Sequence, residues 1–291
     1  MVFTMSPSLD RPLKTLLLTG AAGTLGRALA EPLRGLCQRL VLSDLAAPLR
    51  AHGIAGVACD LADAAAVQQL LQGVDAVVHL GGVSVEGPFA PIVRANVLGL
   101  IHLYEAARLA GTRRIVFASS NHVTGCYGQD VVITPTDPVR PDGYYGVSKL
   151  FGEGLASMYF ERYHIESVCL RIGTATLEPE DRRALSSWLS RGDLARLVTA
   201  GLTAADVGFT IAYGVSNNPR SWWRSQAAWA RIGYVPQDSA EDFAPKVQDI
   251  VFPAGSAMAR LQGGSFLGIG PFDGDEPPPP PPQPTRTRGT A

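Results

Sequence analysis

Two residues of the segment "YYGVSK" are spaced so that they can act on one another. Tyr145 and Lys149 lie four positions apart in a helical pattern, so both side chains project from one face of the helix. A phenol with a pKa of about 10 is a poor base at neutral pH, but a neighbouring ammonium favours its charged form. The pair predicts a tyrosine that takes a proton from an alcohol while a hydride leaves the alcohol carbon.

A second polar cluster stands at the end of an apolar run in "RRIVFASSNH". Four polar residues, from Ser119 to His122, follow the buried-strand pattern of residues 115–118. Serine and asparagine favour turns, so a simple turn is one interpretation. The other is that the hydroxyl of Ser120, which precedes Tyr145 by 25 residues, holds the reacting oxygen of the same alcohol.

Three glycines lie between the first strand and the first helix, in "LLLTGAAGTLGRALA". Gly20, Gly23 and Gly26 allow a tight turn and a close backbone approach to a pyrophosphate at the helix N-terminus. A glycine triplet is weak evidence alone, but Asp44 ends the second strand. A carboxylate there can accept from both hydroxyls of an adenosine ribose and would repel a 2′-phosphate. The combination predicts NAD as cofactor; the alternative for Asp44 is a helix or turn cap.

A second acid, Asp60, follows the third apolar run in "ACDLAD". Its carboxylate can meet the adenine amino group of the same cofactor. It can equally be the N-cap of the following helix, a position that aspartate favours. The sequence leaves both interpretations open.

These residues must be positioned by the elements around them, and those elements alternate. Short apolar runs typical of buried parallel strands occur at 14–19, 39–43, 55–59, 74–80, 113–118 and 165–172. Helical patterns separate them, at 24–35, 63–72, 88–110 and 143–163. The alternation predicts an α/β fold with a doubly wound parallel sheet of Rossmann type.

The pattern loosens beyond residue 173. Helices are predicted near 181–191, 193–203, 219–232 and 239–248, with one strand near 208–213. We predict an NAD-binding Rossmann core and, after it, a smaller substrate-binding cap. The proline-rich end is expected to be extended and disordered. The predicted division is an N-terminal extension over 1–13, the core over 14–173, the cap over 174–270 and the tail over 271–291.

Composition excludes several classes of protein. The net charge is −1 and no basic patch is present, which argues against nucleic acid as a partner. Four widely spaced cysteines in or beside apolar segments are typical of reduced thiols, so neither a disulfide frame nor a metal site is expected. No segment has the pattern of a signal peptide or a membrane span. We therefore expect a cytoplasmic protein that binds no membrane.

The sequence resembles the extended short-chain dehydrogenase/reductase superfamily. The residues that occur in the order of its motifs are Gly20, Gly23, Gly26, Asp44, Asp60, Asn96, Ser120, Tyr145 and Lys149. The strings "VHLGGVSVEGPF", "YGVSKLFGE" and "LRIGTATLEPE" resemble more narrowly the uronate dehydrogenase family, which oxidises D-galacturonate and D-glucuronate at C1 with NAD. The resemblance implies that activity, with an aldarolactone as product, and a homo-oligomer is expected.

The resemblance also implies roles for individual residues. Arg183 would hold the substrate carboxylate, with the adjacent Arg182 as the alternative if the register is off by one. Asn96 would support a proton path to Lys149 through water, although it can equally cap a neighbouring backbone turn. The family often has serine where Thr174 stands. The implied substrate contacts are Ser84, Ser120, Asn121, His122, Tyr145, Thr174 and Arg183. The implied cofactor contacts beyond those above are Thr24, Leu25, Leu61, Leu80, Gly81, Tyr145, Lys149 and Ile172.

Two other functions remain open at this point. A nucleotide-sugar epimerase or dehydratase shares the fold, but it would need a larger C-terminal region to hold the nucleotide. A regulator that senses NAD without turnover can lose the tyrosine–lysine pair, whereas this chain keeps both residues.

Overall fold

The computed structural model describes residues 13–272, 280 and 283–287. Its centre is a seven-stranded parallel sheet in the order β3-β2-β1-β4-β5-β6-β7. The predicted α/β fold with a parallel Rossmann-type sheet is confirmed. The strands are β1 (Leu13–Thr19), β2 (Cys37–Asp44), β3 (Val57–Ala58), β4 (Ala76–His79), β5 (Arg114–Ser120), β6 (Glu166–Ile172) and β7 (Phe209–Gly214).

Helices cover both faces of the sheet, and alternate residues of β1 show why. Leu16 and Leu18 pack with the first and eighth helices, whereas Leu17 packs with the third, fifth and sixth. A strand buried on both faces favours apolar residues at successive positions, which explains the unbroken run "LLL" over 16–18. The helices are α1 (Thr24–Arg34), α2 (Ala46–Ala51), α3 (Ala64–Leu70), α4 (Phe89–Ile92), α5 (Gly99–Ala110), α6 (Tyr144–Tyr163), α7 (Ala184–Ser187), α8 (Arg191–Thr203), α9 (Gln226–Ile232), α10 (Ala244–Val247) and α11 (Ala257–Arg260).

The chain reverses its direction of winding between β1 and β4, which are neighbours in the sheet. In open parallel sheets the carboxyl ends of the strands on either side of such a reversal enclose a crevice where ligands bind. The glycine turn after β1 and the polar cluster after β5 both lie at this edge of the sheet. The topology therefore brings the two sequence clusters to one place.

The predicted helix over 88–110 is divided into three parts. A π-helical turn, Val93–Leu98, joins α4 to α5 and carries the buried Asn96. A π turn inserts one residue into the helical repeat, and such turns are frequent at functional sites. A period of 3.6 in the sequence does not reveal this insertion.

The region beyond residue 173 differs from its prediction in several ways. The strand predicted there is β7, which pairs with β6 and so extends the same sheet, instead of lying in a separate cap. Helix α8 packs on α1, also as part of the core. The helices predicted over 181–191 and 219–232 are shorter, α7 and α9, and the one near 239–248 is a 3-10 turn, Ala240–Phe243, followed by α10. The periodic pattern predicts helices longer than those observed, because part of the apolar residues in these segments are buried in loops.

Part of the proline-rich tail makes contacts that its composition did not predict. Thr285–Arg286 forms a short strand, β9, antiparallel to β8 (Ile250–Val251). The backbone amide of Thr287 donates to the Asp249 carbonyl at 2.7 Å. The expectation of a disordered tail is thus corrected for these residues, because their backbone groups find partners on β8. Most of the extension over 1–13, and residues 273–279, 281–282 and 288–291 of the tail, fall outside the described residues.

All four cysteines are free thiols, as the sequence predicted. Among the helices of the described part of the chain, none combines the length and the apolar composition that crossing a membrane requires.

Candidate active site

A cavity of about 970 Å³ opens at the carboxyl ends of the strands, in the crevice that the topology defines. It is lined by most of the residues that the sequence predicted for cofactor and substrate. Asp60, Leu61 and Asn96 are not among its lining residues. The predicted residues that line it are Gly20, Gly23, Thr24, Leu25, Gly26, Asp44, Leu80, Gly81, Ser84, Ser120, Asn121, His122, Tyr145, Lys149, Ile172, Thr174 and Arg183.

The glycine turn leaves no room for a larger residue at Gly20 or Gly26. Gly20 has a left-handed φ of 70°, and a Cβ built on it would lie 2.7 Å from the Leu80 carbonyl carbon. A Cβ on Gly26 would overlap the Gly20 carbonyl oxygen. Helix α1 begins directly after Gly23, so its unpaired N–H groups and positive dipole end face the cavity. This backbone cradle fits the pyrophosphate of a dinucleotide.

Asp44 lies beside this cradle, at the end of β2. One of its carboxylate oxygens accepts from the Ala22 amide at 2.9 Å, and the other accepts from the Leu45 amide at 2.7 Å. The carboxylate also lines the cavity. The two interpretations of Asp44 are therefore compatible, because it can brace the turn and still face a ribose.

Asp60 takes part in a different interaction. Its carboxylate forms a bidentate pair with Arg94, with the closer contact at 2.8 Å, and this guanidinium holds the pKa of Asp60 below its usual range. The N-cap of α3 is Asp63, so the N-cap alternative for Asp60 is wrong. Leu61 packs on Gly81 and Gly99 from behind the cavity wall. Contacts of Asp60 and Leu61 with a cofactor stay predictions.

Tyr145 and Lys149 stand together on α6 as their spacing predicted. The ammonium lies 5.5 Å from the centre of the phenol ring and donates to the Ala118 carbonyl at 2.8 Å. Burial raises the pKa of Tyr145 to about 12, against the opposing effect of a hydrogen bond with Ser120. Burial also lowers the pKa of Lys149 to about 8. In the protein alone desolvation thus outweighs the Ser120 hydrogen bond, and the negative charge of Asp142 raises the pKa of Tyr145 further. A positive charge beside the ring would favour the phenolate.

The polar cluster after β5 forms a 3-10 turn, Asn121–Thr124, at the floor of the cavity. Ser120 precedes this turn as its N-cap and accepts from the His122 amide at 3.2 Å. The Asn121 side-chain nitrogen is buried and has no hydrogen-bond partner within the described residues. A buried donor without a partner is costly, so its place beside the cavity fits a ligand that accepts from it.

Asn96 adopts the backbone-capping arrangement that was one of its two interpretations. Its amide nitrogen donates to the Val83 carbonyl and the Ser148 hydroxyl, both at 2.9 Å, and its oxygen accepts from the Val83 amide at 2.8 Å. These bonds use both amide hydrogens and fix the loop that carries Ser84. The proton path to Lys149 stays a prediction.

Arg183 points into the cavity, whereas Arg182 is exposed and absent from its walls. The Arg183 guanidinium donates to the Thr174 hydroxyl at 3.0 Å and to the Gln262 carbonyl at 2.9 Å. Gly264, with a left-handed φ of 62°, packs against the same side chain, since a Cβ there would lie 2.5 Å from Arg183 Nε. Within the described part of the chain, Arg183 forms no ion pair.

Two positioning residues were missed by the sequence analysis. Glu86 accepts from the amides of Tyr144 at 3.0 Å and Tyr145 at 2.9 Å, and so caps the helix that carries the tyrosine. Gln262 is fully buried, and its side chain binds Trp223 and two carbonyls of the 128–131 loop while its backbone holds Arg183. No local spacing marks either residue, because each acts on elements far away in the sequence.

The family comparison agrees with this geometry. The pattern of the NAD dependent epimerase/dehydratase family matches residues 16–204, from β1 to the end of α8. That range holds the glycine turn, the tyrosine–lysine pair and Arg183.

Individual relatives are considerably more similar. Uronate dehydrogenase of Pseudomonas syringae pv. tomato is 50% identical over 264 residues, which are 90% of this chain and 96% of that protein. The crystal structure of glucuronic acid dehydrogenase from Chromohalobacter salexigens has a TM-score of 0.83 at 42% identity and covers 89% of this chain and 98% of its own. A mutant uronate dehydrogenase from Agrobacterium tumefaciens, complexed with NAD, has a TM-score of 0.82 at 44% identity, over 87% of this chain and 97% of its own.

The chain therefore belongs to the NAD dependent epimerase/dehydratase family and, within that family, to the uronate dehydrogenases.

Proposed function

We propose that this protein oxidises D-galacturonate and D-glucuronate at C1, with NAD as the electron acceptor. The observation that carries the proposal is the guanidinium of Arg183, which faces the same cavity as Tyr145 and has no carboxylate partner among the described residues. Burial lowers the pKa of Arg183, which means that its charge is incompletely compensated. A substrate carboxylate would supply the missing partner through a planar, two-point contact.

The reacting end is assigned to Tyr145, Ser120 and Lys149. NAD held in the backbone cradle would supply the hydride acceptor, and its positive charge would favour the phenolate of Tyr145, whose pKa burial raises to about 12. Tyr145 then takes the proton of the C1 hydroxyl, while the Ser120 hydroxyl holds the same oxygen. The substrate reacts as a cyclic hemiacetal, so loss of the C1 hydride and the hydroxyl proton gives an aldarolactone.

The cofactor end is assigned to the backbone cradle and Asp44. The carboxylate would accept from the ribose hydroxyls of NAD and would oppose the 2′-phosphate of NADP. The remaining substrate contacts that we propose are Ser84, Asn121, His122 and Thr174, all of which line the cavity.

The test follows NADH formation with a panel of substrates and identifies the first product by NMR. Galacturonate and glucuronate should be oxidised, galactose only weakly, and the lactone should appear before any open diacid. Oxidation of a nucleotide sugar in place of the free acids would favour the epimerase or dehydratase alternative. NAD binding without turnover of any substrate would favour the sensor.

A cytoplasmic location and a homo-oligomer also belong to this proposal. Cell fractionation and light scattering of the purified protein test these two expectations.

A further inference from the structure

A buried carboxylate that the proposed mechanism does not use stands next to His122. Asp142 Oδ2 lies 2.7 Å from His122 Nδ1, and the Asp142 side chain is 0% exposed. Its other oxygen, Oδ1, is buried with no hydrogen-bond partner among the described residues. Burying an ionised carboxylate is costly. The direct side-chain partner that the described residues offer Asp142 is the His122 ring, and the Arg183 guanidinium adds an electrostatic attraction.

Three glycines pack closely around the Asp142 carboxylate. A Cβ added to Gly125 or Gly263 would overlap the carboxylate, and a Cβ on Gly146, in the first turn of α6, would lie 3.3 Å from its Oδ1. Three backbone segments that are distant in the sequence thus come together around one acidic group.

His122 is held from its other sides as well. Its ring stacks on Phe266 at 3.8 Å with an interplanar angle of 12°, and it meets the Tyr145 ring edge-on at 5.7 Å. The ring lines the cavity, whereas Asp142 does not. In the part of the chain that the structure describes, Nε2 makes no hydrogen bond.

We propose that Asp142 is a positioning residue that fixes the tautomer and the orientation of His122. A carboxylate only accepts hydrogen bonds, so Nδ1 must carry the ring proton. In the neutral ring Nε2 is then an acceptor, and it receives the hydrogen bond of a sugar hydroxyl. The last step rests on the proposed function, whereas the tautomer does not.

The direct readout is ¹⁵N NMR of the histidine rings, without substrate. The chain has five histidines, and the signal that disappears in His122→Gln is the one to follow. Wild-type protein at neutral pH should show the Nδ1–H tautomer. Asp142→Asn, which preserves the shape but can present an N–H to the ring, should shift His122 to the Nε2–H tautomer. An Nε2–H or doubly protonated ring in the wild type would overturn the proposal.

Steady-state kinetics distinguish a loss of substrate positioning from a general loss of native structure. Asp142→Asn should raise KM for galacturonate about tenfold, the effect of one lost hydrogen bond, while the Kd for NAD changes less than twofold. Because the charge of Asp142 raises the pKa of Tyr145, its removal should not lower kcat. The matched control is Asp137→Asn, an acid in the same 125–143 loop whose carboxylate accepts only from Thr134. It should change none of these values. A tenfold fall of kcat in Asp142→Asn with KM unchanged would contradict the positioning role of Asp142.

A double substitution tests whether Asp142 acts through His122. In a His122→Gln background, Asp142→Asn should have no further effect on KM, because the ring that it orients is gone. A further rise in KM would show that Asp142 acts elsewhere and would refute the proposal. If no uronate is oxidised but the tautomer depends on Asp142, the proposed function fails and the positioning role stands.

Discussion

The two ends of the cavity are built in different ways. The cofactor end is mainly backbone, formed by one strand–turn–helix unit, residues 13–34, together with the carboxylate of Asp44. The opposite end, which is proposed to hold the substrate carboxylate and is called the acid end below, is formed mainly by side chains. There the guanidinium of Arg183 donates to Thr174 and to the carbonyl of Gln262, 79 residues further on. Tyr145 lies between the two ends.

This difference predicts that the two ends respond separately to substitution. Changes at the cofactor end should alter the choice of dinucleotide, and changes at the acid end should alter the choice of sugar. A change at Tyr145 should alter neither choice and should remove turnover.

Tyr145→Phe gives the largest expected effect. Removing the phenol oxygen removes the group that takes the proton, so kcat should fall by about 10² to 10⁴, the usual contribution of a general base. The Kd for NAD should stay nearly constant, because the phenol acts on the alcohol. Steady-state kinetics and calorimetric titration measure the two quantities. Tyr144→Phe, at the exposed neighbouring tyrosine, is the matched control and should change neither kcat nor the Kd for NAD. A large loss of NAD affinity in Tyr145→Phe would contradict the separate roles of Tyr145 and the cofactor end.

Arg183→Ala should give the next largest effect. A charge-assisted pair is worth roughly 1.5–3 kcal/mol, so kcat/KM for galacturonate should fall about 10- to 150-fold. The weak activity on galactose, which has no carboxylate, should hardly change. Arg183→Lys should recover only part of the loss, since an ammonium cannot bind both oxygens in a planar fork.

Arg182→Ala is the control for this prediction, because that side chain is exposed outside the cavity. An unchanged ratio of galacturonate to galactose activity in Arg183→Ala would mean that the carboxylate is held by other groups.

Asp44→Asn should give a smaller effect, confined to the cofactor end. The amide oxygen can still accept from the Ala22 backbone, whereas the second bond, from Leu45, and the negative charge are removed. The preference for NAD over NADP should fall by about tenfold, which corresponds to ~1.4 kcal/mol. Asp60→Asn, whose carboxylate is engaged by Arg94, should leave the preference unchanged. Equal use of both dinucleotides by the wild type would contradict the role of Asp44.

The same difference explains which parts of the site the sequence could predict. The glycine turn and the tyrosine–lysine pair are local, since their geometry follows from spacing within one turn or one helix face. The alternation of apolar runs and helical patterns likewise predicted strands β1 to β6 in order. For these features the short-range pattern contains the necessary information.

The remaining features depend on contacts between distant residues. Nothing near Gln262 shows that its carbonyl holds Arg183, and nothing near Asp142 shows that it faces His122. Asp60 shows the opposite case, in which a local pattern suggested a role that the structure does not bear out. The pattern allowed Asp60 as the N-cap of α3, but Asp63 takes that position. The membership of β7 in the main sheet was missed for a related reason, since strand pairing is decided by the whole sheet.

Loss of the hydride from C1 of a sugar acid held by its carboxylate is the central step of the proposed function. Its most direct test uses galacturonate labelled with deuterium at C1 and follows the label by NMR and mass spectrometry. We expect one deuterium on the reduced nicotinamide and none on the aldarolactone. Unlabelled NADH, with deuterium retained in the sugar product, would place the oxidation at another carbon and contradict the proposed reaction.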